Sequence, residues 1–171
     1  MPYVDLNTIH NPATGTVAPA TWGDQSRDNQ EFLIDPPACS ISQAANTSCA
    51  DATITVLGTT ATESFDNDAM HSDVTNRSRI TIQTAGRYLF LARVSFAANS
   101  ANSREVRFRI DGSTLVNGIL LLHAGSATWR GSLTGMLVLS AGQYVECVAN
   151  QNSGGALDAA LVEFAATYLT R

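Results

Sequence analysis

Apolar and polar residues alternate most regularly in RYLFLARVSFA, 87–97. Tyr88, Phe90, Ala92, Val94 and Phe96 fall on one face of a strand with a period of two. The other face opens with Leu89 and Leu91 and turns polar at Arg93 and Ser95. A two-layer sandwich buries one face of each strand, so the second apolar face needs a cover. Similar short runs recur from residue 39 onward: ISQA (41–44), ATITVL (52–57), ATESF (61–65), SRITIQ (78–83), REVRFRIDG (104–112), STLVNGILLLHAG (113–125), TWRGSLTGMLVLS (128–140), QYVECVANQ (143–151) and ALVEFAATYLT (160–170). Ala85-Gly86 and Ala141-Gly142 read as turns, NSANS as a flexible connection, and 65–76 as a polar loop. The pattern predicts an all-β fold, an antiparallel sandwich or barrel of about ten strands.

Residues 1–38 lack this alternation. They read as an arm holding one short helix from Trp22 to Ile34, ended by Asp35-Pro36-Pro37 because residues before proline leave the helical region. Trp22, Phe32, Leu33 and Ile34 are its candidate docking residues. An arm with little core of its own packs on something else: its own body, a sister chain or a host assembly.

The 171 residues suffice for one domain with a full core. Ten basic against 15 acidic residues, a formal charge of -5, and no Lys/Arg cluster argue against nucleic-acid binding. No apolar stretch is long enough to span a bilayer as a helix, and the N-terminus does not read as a secretory signal. The expectation is synthesis in a cytoplasm, where the sequons at Asn46 and Asn76 carry no meaning. The odd set Cys39, Cys49 and Cys147 is then expected as buried free thiols. A Cys39–Cys49 bridge stays open if two early strands are neighbours.

Candidate chemistry is sparse. His10, His71 and His123 form no metal or catalytic motif, and no nucleophile elbow, phosphate loop or dinucleotide fingerprint occurs. Paired carboxylates for glycan hydrolysis have no visible placement. No enzyme activity and no cofactor are expected. Asp66, Asp68 and Asp73 are either a solvated turn or a divalent-ion site built from hard oxygens. Arg107 and Arg109 share a face with Glu105 and Asp111, which is either a solvated face or a subunit contact.

FDNDAMHSDVTNRSRITIQTAGRYLFLARVSF, REVRFRIDG, GMLVLSAGQYVECVANQNSGG and EFAATYL together resemble the C1q/tumour-necrosis-factor-like jelly roll. The family's G-x-Y-x-F strand falls on Gly86, Tyr88 and Phe90. Its later hairpin falls on Leu137, Leu139, Gly142 and Val145, and its last strand on Phe164. The resemblance covers 39–171 and implies a trimeric binding or structural module without enzyme activity. No collagen repeat is present. A second resemblance lies in NPATGTVAPATWGDQSRDNQEFL, which is similar to the N-terminal piece of tailed-bacteriophage structural proteins. Its matching positions are Trp22, Gly23, Asp24, Arg27, Asp28, Asn29, Phe32 and Leu33, with Ser26 where a hydrophobic residue is common.

These resemblances imply a homotrimeric head-decoration or head-fibre protein on the outer surface of a virion, assembled in the host cytoplasm. Trp22, Arg27, Phe32 and Leu33 would anchor the arm to capsid or other virion proteins. The alternative is a tail-associated module recognising host surface glycan or protein. Leu89, Leu91, Arg107 and Arg109 are the expected trimer interface. Two lids for Leu89 and Leu91 remain open: a sister chain across a threefold axis, or the arm around Trp22.

Overall fold

The computed structural model of the chain describes residues 20–122 and 127–170, with side chains described from residue 23 onward and, within 114–122, at Val116 alone. One helix, α1 (Ala20–Ile34), precedes eleven strands: β1 (Ala38–Ser42), β2 (Thr47–Cys49), β3 (Thr55–Val56), β4 (Thr62–Asp66), β5 (Arg79–Thr81), β6 (Gly86–Phe96), β7 (Arg104–Ile110), β8 (Thr114–Leu122), β9 (Trp129–Leu139), β10 (Tyr144–Gln151) and β11 (Leu157–Thr170). They form two antiparallel sheets. The first runs β4-β1-β11-β6-β9 with β2 beside β11, and the second runs β3-β10-β7-β8 with β5 beside β10. The chain crosses between sheets at almost every step after β5, which makes the sandwich a jelly roll rather than two stacked meanders.

The period-two faces do what the sequence requires of them. Tyr88, Phe90, Ala92, Val94 and Phe96 are all buried. Phe90, Phe108 and Phe164 meet at the centre with ring centroids 5.8–5.9 Å apart, joining β6 and β11 of one sheet to β7 of the other. Gly142 takes the left-handed backbone (φ 87°) that its turn needs. Gly86 has a different reason to be glycine. It opens β6, and a Cβ there would lie 2.3 Å from the Tyr168 ring.

Two expectations change, and one open alternative closes. The three-residue β2 was invisible to periodicity, and its pairing with the start of β11 extends that strand back to Leu157. The connection NSANS is pinned, not flexible. The buried Arg104 donates to the Asn99 and Asn102 carbonyls (2.6 and 3.2 Å), and Asn152 holds Ser103 and Asn102. A Cys39–Cys49 bridge is geometrically closed. Cys39 sits opposite Ala166 and Cys49 opposite Leu157 on the same strand. That separation is roughly 30 Å along β11, against about 4–7 Å between the Cα atoms of a disulfide. All three cysteines are buried free thiols.

Candidate interaction surfaces

The four residues expected at one trimer interface divide between opposite faces of the sandwich. Leu89 and Leu91 point outward from β6 in the first sheet, whereas Arg107 and Arg109 point outward from β7 in the second. The two pairs therefore do not form one contact patch. The reason is the jelly-roll crossing between β6 and β7, which a strand-by-strand reading does not register.

Strand register assembles the apolar patch around the leucines. Leu89 lies between Thr167 of β11 and Met136 of β9, and Leu91 between Ala165 and Thr134. Val138 stands opposite Arg87 one step further along. Leu89 is 38% exposed, Met136 74% and Val138 76%. Toward the other end of the same face the surface becomes polar, with Arg93 ion-paired to Glu163 at 3.2 Å. A shallow depression of about 380 Å³ follows, walled by Arg93, Ser95, Arg130, Ser132 and Val162. Among the described residues, nothing covers the apolar end.

On the outer face of the second sheet, the described charges of β5, β7 and β10 pair with one another. Glu146 of β10 is almost fully buried, and its carboxylate accepts from Arg109 (2.7 and 3.1 Å), Arg79 (3.2 Å) and Ser78 (3.3 Å). The Arg79 guanidinium also stacks 3.9 Å above the Tyr144 ring. Arg107 is ion-paired with Glu105 on its own strand. The charges of Arg107 and Arg109 are thus matched within the chain.

Helix α1 docks on the end of the sandwich through Phe32. Phe32 is buried with its ring 5.1 Å from that of Tyr168, edge-on, and Tyr168 in turn meets Tyr88. Asn67 fixes the junction: its amide donates to Asp35 and the Pro36 carbonyl, and its carbonyl oxygen accepts from the Ala38 amide. This clamp between residues some 30 positions apart carries no local sequence signal. Of the expected anchoring residues, Phe32 is docked on the body. Leu33 is 74% exposed, and Arg27 pairs, among the described residues, with Asp24, Asp28 and Glu31 of its own helix. The side chain of Trp22 lies outside the described residues. Ile34, beside Leu33, is 83% exposed.

The three aspartates weighed as an ion site do not converge. Asp66 accepts from the backbone amides of Asp68 and His71. Asp68 is half-buried, and burial raises its carboxyl above the usual carboxylate range. Asp73 turns instead to Glu63 of β4 and to His71, and the ligand atoms of these three lie within 4.8 Å of one another. His10 and His123 lie outside the described residues. Burial pushes the Cys39 thiol up to about 12 and the Cys49 thiol up to about 11, so neither is a nucleophile near neutral pH.

No protein-family model and no curated protein matches the sequence. Solved structures do match. The globular domain of zebrafish complement 1qA protein superposes with a TM-score of 0.56 at 16% identity, covering 79% of this chain and 98% of that one. Murine APRIL, crystallised at pH 5.0, superposes at 0.60 with 12% identity, covering 78% and 98%. The Eiger TNF of S. frugiperda superposes at 0.55 with 9% identity, covering 80% and 94%. At these identities the likeness speaks to architecture, and the chain has the jelly-roll fold of the C1q and tumour-necrosis-factor domains.

Proposed function

We propose that this chain is a non-enzymatic structural module that forms a homotrimer through the outer face of the β4-β1-β11-β6-β9 sheet. Its N-terminal arm would attach the trimer to the outer surface of a tailed-phage particle. The observation that carries the trimer is the uncovered patch of Leu89, Leu91, Met136 and Val138. A closed threefold assembly buries such a face without leaving sticky surface behind. The trimeric character of the resembling family supports the same stoichiometry. Arg107 and Arg109 lie outside this patch, on the opposite face, with their charges met by Glu105 and Glu146.

Attachment to a virion rests on the arm. The segment WGDQSRDNQEFL resembles phage structural proteins, and α1 leaves Leu33 and Ile34 exposed beside its docked Phe32. Those two side chains, with the exposed Arg27, are available to a second protein. Co-sedimentation of the purified chain with particles of its candidate host phage, lacking their own copy, tests the reading. Binding that saturates as trimers at many shell positions, and is lost in Leu33→Asp/Ile34→Asp, supports it. Binding confined to the tail favours receptor recognition, and no binding to particles overturns the virion role.

A further inference from the structure

We propose that Glu63, His71 and Asp73 form a binding site for Zn²⁺ at the edge of the first sheet. The His71 side chain has no solvent exposure. Its Nε2 lies 2.8 Å from the Arg77 carbonyl oxygen, a partner that only accepts, so Nε2 carries hydrogen and donates. In the neutral ring Nδ1 is then a bare lone pair. That lone pair faces Glu63 Oε1 at 3.4 Å and Asp73 Oδ1 at 3.6 Å. Three electron-rich atoms aimed at one point repel unless a cation sits among them.

The spacing fits a metal. Zn–N and Zn–O bonds of about 2.0–2.2 Å at tetrahedral angles place neighbouring ligand atoms roughly 3.4 Å apart. Both His71 separations already match, and the exposed Glu63 can rotate to close on Asp73. One imidazole nitrogen with two carboxylates suits zinc better than Ca²⁺, which takes six to eight oxygens. The ligands are also held from behind, as metal ligands usually are. Arg77 fixes the His71 tautomer, the Glu63 backbone amide donates to Asp73 (3.1 Å), and Asp66 accepts from the His71 amide (2.8 Å). Arg77 turns its Nε to the Ala61 carbonyl (2.8 Å). Three protein ligands leave the fourth position to water on the side where Glu63 and Asp73 are exposed.

The experiment is calorimetric titration of the chelator-treated full chain with ZnCl₂ near neutral pH, paired with thermal melting. The expected result is one ion per chain and a rise in Tm of roughly 5–10 °C at about a hundredfold excess over Kd. Both effects should vanish in Asp73→Asn, a change at an exposed side chain that leaves the fold intact by circular dichroism, and in His71→Asn. Co²⁺ in place of Zn²⁺ should give a spectrum without thiolate charge-transfer bands. The proposal is overturned if zinc gives no saturable heat and no Tm shift, as when His71 holds a proton between the two carboxylates. It is equally overturned if binding survives both variants, or if thiolate bands place the metal on cysteine.

Discussion

Placing a carboxylate on the apolar outer face should dissolve the assembly and spare the chain. Met136→Asp is the cleanest perturbation, because Met136 is 74% exposed in the single chain and supports nothing beneath it. Full burial of a Met, Val or Leu side chain is worth about 1.5–3 kcal/mol. Covering the exposed parts of Met136, Val138 and Leu89 therefore contributes about 3–5 kcal/mol per chain. An aspartate at 136 removes the methionine share and adds the cost of burying an unpaired carboxylate, several kcal/mol per copy. The loss exceeds the whole gain of the patch. At about 1.4 kcal/mol per tenfold, trimer affinity should fall by at least about a thousandfold.

Light scattering coupled to size exclusion reads the mass, and far-UV circular dichroism with thermal melting reads the fold. Wild type should run as a trimer at micromolar concentration, and Met136→Asp as a monomer with an unchanged spectrum and melting point. Leu91→Asp should behave similarly with some loss of Tm. Phe90→Asp, at the heart of the aromatic cluster, should abolish both fold and assembly. A wild-type chain that stays monomeric at high micromolar concentration refutes the reasoning. A trimeric Met136→Asp refutes it too, by showing that the contact lies elsewhere. If deleting residues 1–19 turns a soluble monomer into an aggregating one, the arm is the lid and the threefold reading fails.

Three further outcomes follow from the interior. Phe32→Ala should cost about 3 kcal/mol in urea unfolding, at the low end for a buried aromatic because α1 can resettle against Tyr168; an unchanged midpoint would mean that α1 does not dock there. Arg109→Leu should cost about 1–3 kcal/mol, since Glu146 keeps Arg79 and Ser78 but loses its two shortest hydrogen bonds, and Glu146→Gln in the same background should recover part of it. Alkali should destabilise the fold. The Cys39 thiol is raised from 9.0 to about 12 and the Cys49 thiol from 9.0 to about 11 by burial. Their contribution is intact below about pH 9, where both states hold the proton, and is lost as pH climbs through the folded values because only the unfolded chain releases it. Urea midpoints that stay flat between neutrality and pH 10.5 in wild type, or that fall as steeply in Cys39→Ala/Cys49→Ala, would contradict this.

The core was legible because burial on one face of a strand imposes a period of two, and Tyr88, Phe90, Val94 and Phe96 obey it. Helix α1 was legible from its proline stop. The polar clamps were not. Asn67 reaches the Asp35–Ala38 junction, Arg104 caps the Asn99–Asn102 turn, and Asn152 ties that turn to β10. A hydrogen bond between distant segments leaves no periodic trace, because one side chain satisfies it. The acidic loop shows the same limit from the other direction. Spacing suggested Asp66, Asp68 and Asp73 as a set, yet backbone amides consume Asp66, burial withdraws Asp68, and Asp73 finds a strand glutamate and a histidine instead. Which way a loop carboxylate faces depends on the turn beneath it.

The contrast between the two outer faces bears most directly on what the molecule is for. On the second sheet, each described arginine of β7 that points outward has a carboxylate partner in the same chain, and Glu146 is sealed by Arg109 together with Arg79 of β5. The charges of that face, among the described residues of β5, β7 and β10, are matched without a partner. On the first sheet, β9 is the terminal strand, eleven residues long, and it pairs only with β6 among the described elements. It carries Met136 and Val138 outward beside Leu89. A long edge strand with an apolar outer face is a hazard for a chain that works alone, and solitary chains blunt such edges with lysine, proline or a bulge. The β6–β9 ladder runs through eleven residue pairs without a register shift, so it has no bulge; no proline lies in β9, and its one charged residue, Arg130, stands at the end opposite Met136 and Val138. A partner that covers the face removes the hazard and gives the apolar residues a reason to be there. The same edge would explain aggregation of any variant in which the fold persists but the cover is lost.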